Sequence, residues 1–316
     1  MRYFNINVSF IKLTIFLFAM SSIIFTSGAF ASNNGSNWFN SLQKAIEASK
    51  TGKTLGNEPE LEEVVAQAID SGAQMYVIIQ TAMAMDSSMA GKIIEATIQV
   101  TKKPGQVIKA AIIANINIDI IVKAAIQSGV TADQIVLAAI AAGADLDILI
   151  SECIKAGADP ADTIMAAISA TKNVGAVVDA AVKAGAPEKD IAKAVFSDNT
   201  LVDETQAVTS CIKSGIDLNT VIREALDAGV SNGLVVIVSL YTSNNYQQVV
   251  NSALTWGVSK DEIQAYARDN LSIDQEALKQ ALEASETITA YTPAERRSPP
   301  RNSINTEPGR GSVSPN

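Results

Sequence analysis

The sequence predicts an all-α solenoid of short helices, and three repeating features carry that prediction. A small residue recurs at intervals of 14, apolar residues surround it at helical spacing, and a glycine often follows four positions later. Positions −4, −3, 0 and +1 around the small residue fall on one side of a 3.6-residue helix, so each unit has one apolar face. One short helix cannot bury that face alone, which predicts many stacked units.

The small residue, called the anchor below, can be followed along most of the chain. From Ala125 to Val195 the interval is 14, and after one slip of 16 the series resumes at Cys211. The pattern predicts sixteen helices between Leu61 and Ser285, paired as antiparallel hairpins in a right-handed αα solenoid with 28 residues per two-helix layer. The anchors are Ala68, Ala82, Thr97, Ala111, Ala125, Ala139, Cys153, Ala167, Ala181, Val195, Cys211, Ala225, Ser239, Ala253, Ala267 and Ala281.

Start and stop signals agree with this period. Asp159 before Pro160 is typical of a helix N-terminus, as are Ser259 followed by Glu262 and Ser272 followed by Gln275. The glycine four residues after an anchor occupies the position where a helix favours a left-handed C′ residue. Each unit is therefore predicted as a helix of nine or ten residues and a short turn. The glycines are Gly129, Gly143, Gly157, Gly185, Gly215, Gly229 and Gly257.

Two segments, AAGADLD around Gly143 and KAGADP around Gly157, are similar to the end of the second helix of an ankyrin repeat. The Thr-Pro-Leu-His opening of that family is absent, and the chain contains no histidine. A 28-residue layer also leaves no room for a β-hairpin within the ankyrin period of about 33 residues. The sequence is therefore assigned to helical-repeat solenoids as a class and to no named family.

The two ends of the chain differ from the array. Arg2 and Lys12, an apolar run and the segment Ala29-Phe30-Ala31 predict a cleavable signal peptide over 1–31, and so export to a periplasm, a cell surface or the extracellular space. Residues 32–60 are predicted as a polar leader, one helix over 38–50 and a linker, and residues 61–288 as the solenoid. The Pro-, Ser- and Arg-rich composition of residues 289–316 predicts a disordered basic tail.

Composition argues against several functions. Without Arg2 and Lys12, the chain has 22 Lys and Arg against 33 Asp and Glu, a net charge of −11 that disfavours nucleic-acid binding. The lack of histidine excludes Ser-His-Asp and Cys-His catalysis and histidine-containing zinc sites. The turns that contain Asp145 and Asp159 are too short to form the calcium-binding loop of an EF-hand. These aspartates are interpreted as N-caps of the helices that follow. We expect no catalytic residue, metal or cofactor, and hence a protein that is not an enzyme.

Cys153 and Cys211 both stand at anchor positions, four helices apart. Four helices make two layers, or about 20 Å at about 10 Å between packed helices. A disulfide tolerates Cα separations of up to about 7 Å. The register therefore predicts two buried thiols that stand in for alanine.

A row of lysines is the main candidate binding feature. If helices alternate between two rows, Lys155, Lys183 and Lys213 fall two residues after successive anchors of one row, following Gln127. Repeat proteins bind partners along such series of equivalent positions. The alternative is that each lysine is solvated and complements the negative C-terminal end of its helix. Tyr241, together with Tyr246, Trp256 and Tyr266, is the second candidate, because aromatic residues favour interface cores.

Two classes of function remain open from the sequence. In the first, the protein is a scaffold that binds a protein or peptide partner in the cell envelope or outside the cell. In the second, it is a structural or surface-matrix component that self-associates through stacked repeats or through its tail. Membrane spanning after signal cleavage is disfavoured, because a ten-residue helix covers about half of a hydrocarbon core of about 30 Å.

Overall fold

The computed structural model of the protein describes residues 35–51, 60–197, 202–268, 270 and 272–285. All regular secondary structure within these ranges is helical: seventeen α-helices and one 3-10 helix over Ser87–Met89, with no strand. The predicted all-α class is therefore confirmed. The predicted signal peptide and the predicted basic tail lie outside the described residues.

The sixteen helices predicted between Leu61 and Ser285 are present, and one further helix precedes them. In chain order they are α1 Gly35–Thr51, α2 Leu61–Asp70, α3 Met75–Met85, α4 Ala90–Thr101, α5 Pro104–Ile113, α6 Ile118–Gln127, α7 Ala132–Ala141, α8 Leu146–Lys155, α9 Pro160–Thr171, α10 Val174–Lys183, α11 Glu188–Phe196, α12 Glu204–Lys213, α13 Leu218–Asp227, α14 Asn232–Ser243, α15 Tyr246–Thr255, α16 Lys260–Arg268 and α17 Gln275–Ala284.

From α3 onward, each helix packs most extensively against a helix two positions away along the chain. Two rows follow from this pattern, an even row from α2 to α16 and an odd row from α1 to α17. Neighbours along the chain make smaller contacts that join the rows. This packing is that of a helical solenoid.

One apolar core runs through the whole array. In α6, for example, the anchor Ala125 is buried together with Ile121 and Val122, which stand four and three residues before it. Helices of nine to twelve residues are marginal in isolation, so burial against neighbouring helices must stabilise them. The structure thus explains why small anchors recur, since they let helix axes approach closely.

The predicted glycines end their helices in the left-handed conformation, with φ between 76 and 89°. After α6 the Val130 amide donates to the Ala125 carbonyl at 3.0 Å across Gly129, which satisfies carbonyls that the helix leaves free. At the helix starts, Asp159 accepts from the Asp162 amide, and the Ser259 and Glu262 side chains each accept from the other's amide. These caps were predicted correctly.

The predicted cap at Ser272 is wrong. Helix α17 begins at Gln275, and its N-cap is Asp274, whose carboxylate accepts from the amides of Glu276 and Ala277 at 3.0 Å each. The Gln275 side chain donates instead to the Ala267 carbonyl at 2.8 Å, which ties the start of α17 to the end of α16. A carboxylate next to the first turn is the stronger acceptor, so it sets the boundary.

Helix α1 packs against α2 and α3, and its Trp38, Leu42 and Ile46 are buried in the common core. The helix is longer than the predicted segment 38–50. It covers the apolar face that α2 and α3 would otherwise expose at that end of the array, which is the role of a capping helix in a repeat protein.

Three tight turns divide the array at a longer interval. Lys102, Lys172 and Asn244 have φ of 55, 56 and 54°, and each follows a twelve-residue helix, namely α4, α9 or α14. In the first turn Thr101 Oγ1 donates to the Thr97 carbonyl at 2.7 Å and accepts from the Lys103 amide at 3.3 Å. The same bonds recur in the other two turns. The turns are 70 and 72 residues apart, which defines units of five helices.

Candidate binding surfaces

The three lysines of the predicted row are the last residues of α8, α10 and α12. These helices pack in succession along the even row, so Lys155, Lys183 and Lys213 occupy equivalent positions on it. All three side chains are exposed. A lysine at a helix C-terminus complements the negative end of the helix dipole.

Two of these lysines already have carboxylate partners. Lys183 Nζ lies 2.8 Å from Asp147 Oδ2 in the preceding helix of the row, and Lys155 Nζ lies 2.8 Å from Glu152 Oε1 in its own helix. The hydrogen bond that Lys183 donates to Asp147 raises the pKa of Lys183, and the charges of Asp147, Asp179 and Asp145 add to that shift. The charge that this row offers to an acidic partner is therefore largely compensated.

The four aromatic residues of the second candidate differ in exposure, packing and hydrogen bonding. Tyr241 in α14 is 65% exposed and is the most exposed large apolar side chain among the described residues. Tyr266 in α16 packs against Gly233, where an added Cβ would lie 3.1 Å from its ring. Tyr246 Oη accepts from the Asp274 amide at 2.9 Å, and Trp256 Nε1 donates to an α13 side chain at 2.8 Å. Tyr241 is thus the most exposed of the four rings, followed by Tyr266 at 37%.

A charged pair in α13 was not predicted. Glu224 is 8% exposed, and its Oε1 lies 3.6 Å from Arg223 Nε, while the Arg223 guanidinium stands 5.2 Å from the centre of the Trp256 ring. Asp227 also lies 3.7 Å from Arg223 Nε. This arrangement links α13 to α15 and gives Glu224 a counter-charge, which is a structural role.

A groove between α5 and α7 in the odd row was also not predicted. It has a volume of about 530 Å³ and is open to solvent. Gly105 and Ala138 form its floor, because a Cβ on Gly105 would lie only 3.6 Å from the Ala138 side chain. Leu137 on its wall is 43% exposed. The other lining residues are Lys103, Pro104, Gln106, Lys109, Gln134 and Ala141.

The two lysines of this groove are exposed and uncompensated. Within the described part of the chain, neither Lys103 nor Lys109 has a side-chain hydrogen bond or an ion pair with a carboxylate. The neighbouring Lys102 donates to Gln99 at 3.0 Å, and Lys92 donates to Ser49 at 2.8 Å, so those contacts are neutral as well. The ammonium groups of the groove lysines are therefore available to an anionic ligand.

The five-helix units contain two further helix pairs that match α5 and α7, namely α10–α12 and α15–α17. The sixth residue of the first helix is Lys109, Asp179 or Asn251 in the three pairs. Asp179 accepts a short hydrogen bond from Ser214, and Asn251 Oδ1 accepts from Ser285 Oγ at 2.7 Å. A polar contact thus joins the helices in two pairs, whereas Lys109 leaves the first pair open.

The α5 wall of the groove lies in a basic segment of an acidic chain, and its α7 wall lies in the acidic segment that follows. Residues 87–118 contain four lysines and one glutamate, a net charge of +3, whereas residues 119–162 contain two lysines and seven acidic residues, a net charge of −5. Sequence reasoning missed the groove because it used the net charge of the whole chain and compared only the residue two after each anchor. A running charge count would have detected Lys102, Lys103 and Lys109.

The described ranges contain no group of three or more Cys, Asp or Glu side chains placed to hold a metal ion. None of the helices found there has both the length and the apolar character that crossing a membrane requires. Cys153 and Cys211 are buried free thiols, as the anchor register predicted, and burial raises the pKa of each to about 12. Unreactive thiols of this kind offer no nucleophile.

Neither the models of known protein families nor the curated protein sequences give a match to this chain.

Proposed function

We propose that this protein is an exported, non-enzymatic helical-repeat scaffold that binds a protein or peptide partner. The array would consist of two-helix layers of 28 residues wound into a right-handed superhelix. The observation that carries the proposal is the open groove between α5 and α7, where Leu137 is 43% exposed beside two uncompensated lysines.

The shape of the groove supports a macromolecular partner. Small-molecule sites are usually concave and bury most of their ligand, whereas this groove is open and borders a long surface of stacked helices. Solenoids commonly bind extended partners along such surfaces. The export part of the proposal rests on Arg2, Lys12 and the Ala29-Phe30-Ala31 segment.

Site-specific photo-crosslinking in the native cell tests the binding role. A photoreactive amino acid in place of Leu137 should give one discrete crosslinked partner, because that side chain lines the groove. The matched control replaces Ile148, which is 52% exposed but belongs to α8 in the even row. Equal products from both positions, or none from position 137, would contradict the proposal. Mass spectrometry of the recovered protein should find Ser32 at its N-terminus.

Charge asymmetry favours self-assembly as a second candidate function. The basic segment 87–118 of one copy has opposite charge to segment 119–162 of another, so copies could associate head to tail. Light scattering of the purified protein should then show polymers that grow with concentration and dissolve as salt rises. A monomer at all concentrations would reject this candidate and leave the scaffold proposal standing.

A further inference from the structure

We infer that the α5–α7 groove recognises an acidic segment of a partner protein, in which apolar side chains stand on both sides of the carboxylates. This inference rests on the proposed scaffold function and adds the chemistry of the partner. It is drawn from the charge of the groove, from the recess beside it and from the matching helix pairs.

The positive charge of the groove favours an acidic partner. Lys103 and Lys109 have no carboxylate partner among the described residues, in contrast to Lys155 and Lys183. Lys103 directly precedes α5, and Lys109 lies in its second turn, so both can reach one bound segment. Two ammonium groups at a groove favour carboxylates, because opposite charges steer association and fix the register of the partner.

Apolar surfaces lie on both sides of Lys103. A second recess of about 390 Å³ shares Lys103 and Gln106 with the groove and contains Ile69 and Met75 on its other side. The lysine therefore lies between an apolar surface on one side and Leu137 on the other. A bound segment would cover both apolar surfaces with its own apolar side chains and place its carboxylates between them.

The matching helix pair α10–α12 has the opposite charge at the position of Lys109. In α10–α12 the equivalent of Lys109 is Asp179, which is bonded to Ser214. Asp179 therefore places a negative charge at that interface, which disfavours an acidic ligand there. The Arg-rich tail of the chain, with Arg296, Arg297 and Arg301, has the same sign of charge as the groove and is disfavoured as its occupant.

Selection of displayed random peptides on the immobilised full chain tests the inference. Recovered peptides should contain Asp or Glu flanked by Leu, Ile, Phe or Met. A chosen peptide, labelled with fluorescein and measured by fluorescence anisotropy, should bind at least about tenfold more weakly once Lys103→Glu and Lys109→Glu are both present. Its affinity should also fall as salt rises beyond about 0.15 M, where the Debye length is about 8 Å.

The matched control is Lys189→Glu with Lys193→Glu in α11, which changes the same charge at two exposed lysines without a carboxylate partner among the described residues and should leave peptide binding unchanged. Circular dichroism and melting of both variants should match the parent, because exposed single charges contribute little to stability. Basic or neutral selected peptides, no selected peptides, or acidic peptides that bind the groove variant undiminished would each overturn the inference. A crosslinked partner at position 137 that lacks an acidic segment would overturn it too, while the scaffold function would stand.

Discussion

The helix pairs α5–α7 and α10–α12 occupy the same place in successive five-helix units, yet the first borders an open groove with two uncompensated lysines and the second has a polar contact between its helices. Both bring a glycine of the first helix against a small residue of the second, Gly105 against Ala138 and Gly175 against Ser210. They differ in the side chains around that contact, namely Lys109 for Asp179 and Ala142 for Ser214. A few polar side chains therefore distinguish two interfaces that share the same arrangement of helices.

The largest effect is expected from removing one unit. Deleting residues 102–171 joins Thr101 to Lys172, so that the local Thr-Lys turn is kept while α5 to α9 are lost. Because contacts in a solenoid are made between near neighbours, the shortened chain should remain helical and unfold cooperatively at a lower temperature. Groove-dependent peptide binding should disappear completely. Circular dichroism and anisotropy measure the two effects.

A deletion of residues 102–164, seven residues shorter, serves as the control for the deletion of one unit. It joins Thr101 to Met165 in the middle of α9, which removes the turn after α4 and fuses α4 to the second half of α9 in one long helix. That chain should lose cooperative unfolding. If both deletions unfold cooperatively, or if neither does, the five-helix units are not equivalent and the comparison between α5–α7 and α10–α12 fails.

The anchors of the two pairs also differ, with Cys211 in α12 where α7 has Ala139. Burial raises the pKa of the Cys211 thiol from 9.0 to about 12, so the folded state keeps a proton that the unfolded state loses above pH 9. The free energy of unfolding should therefore be unaffected below pH 9 and fall towards pH 12, by up to about 1.4 kcal/mol per pH unit for this thiol.

Denaturation of Cys211→Ala and the parent at several pH values between 9 and 12 measures this effect, and Cys153→Ala provides a second case with the same shift. Each variant should lose less stability in this window than the parent. At neutral pH an alanine at either position should cost little, since other anchors are alanine. Parallel pH profiles for parent and variants would show that the thiols are not buried.

Exchange of the polar contact is a direct test of what closes the interface. Lys109→Asp with Ala142→Ser places the Asp179–Ser214 pair into the α5–α7 interface, and it should weaken binding of an acidic peptide by at least about tenfold. The reverse exchange, Asp179→Lys with Ser214→Ala, changes the α10–α12 interface alone and should leave peptide binding at the α5–α7 groove intact. Unchanged affinity in the first exchange would mean that Lys109 is not part of the recognition surface.

The smallest effect concerns the lysine at the end of α10. Asp147→Asn removes the negative charge that raises the pKa of Lys183 and weakens the hydrogen bond that Lys183 donates, so this pKa should fall towards its ordinary value. In the parent protein, the ion pair between Lys183 and Asp147 is fully formed at pH values below the ordinary lysine pKa. It is lost as the pH rises through the raised pKa of Lys183. Titration of the Lys183 side chain by nuclear magnetic resonance, in the parent and in the variant, measures the shift. A melting temperature close to that of the parent is expected, since the pair is exposed.

The predictions from sequence succeeded where one local rule decides the outcome. The interval between anchors placed sixteen helices, the glycines placed the left-handed turns, and the shared anchor position of Cys153 and Cys211 kept them apart as buried thiols. The cap at Ser272 failed because two acceptors competed and the carboxylate of Asp274 was stronger. The lysine row was placed on equivalent helix ends, but no sequence pattern indicated that Lys183 pairs with Asp147, 36 residues earlier.

By itself, the sequence determined the helices and their stacking, because apolar periodicity and left-handed glycines act within one short segment of chain. Tertiary structure alone decided which charges are compensated and which interfaces are open. Those outcomes depend on side chains about 35 residues apart, brought together by packing of each helix on the next of its row, as in Asp179 with Ser214. A repeat pattern specifies that two helices meet, whereas the identities of the facing side chains determine what their interface can bind.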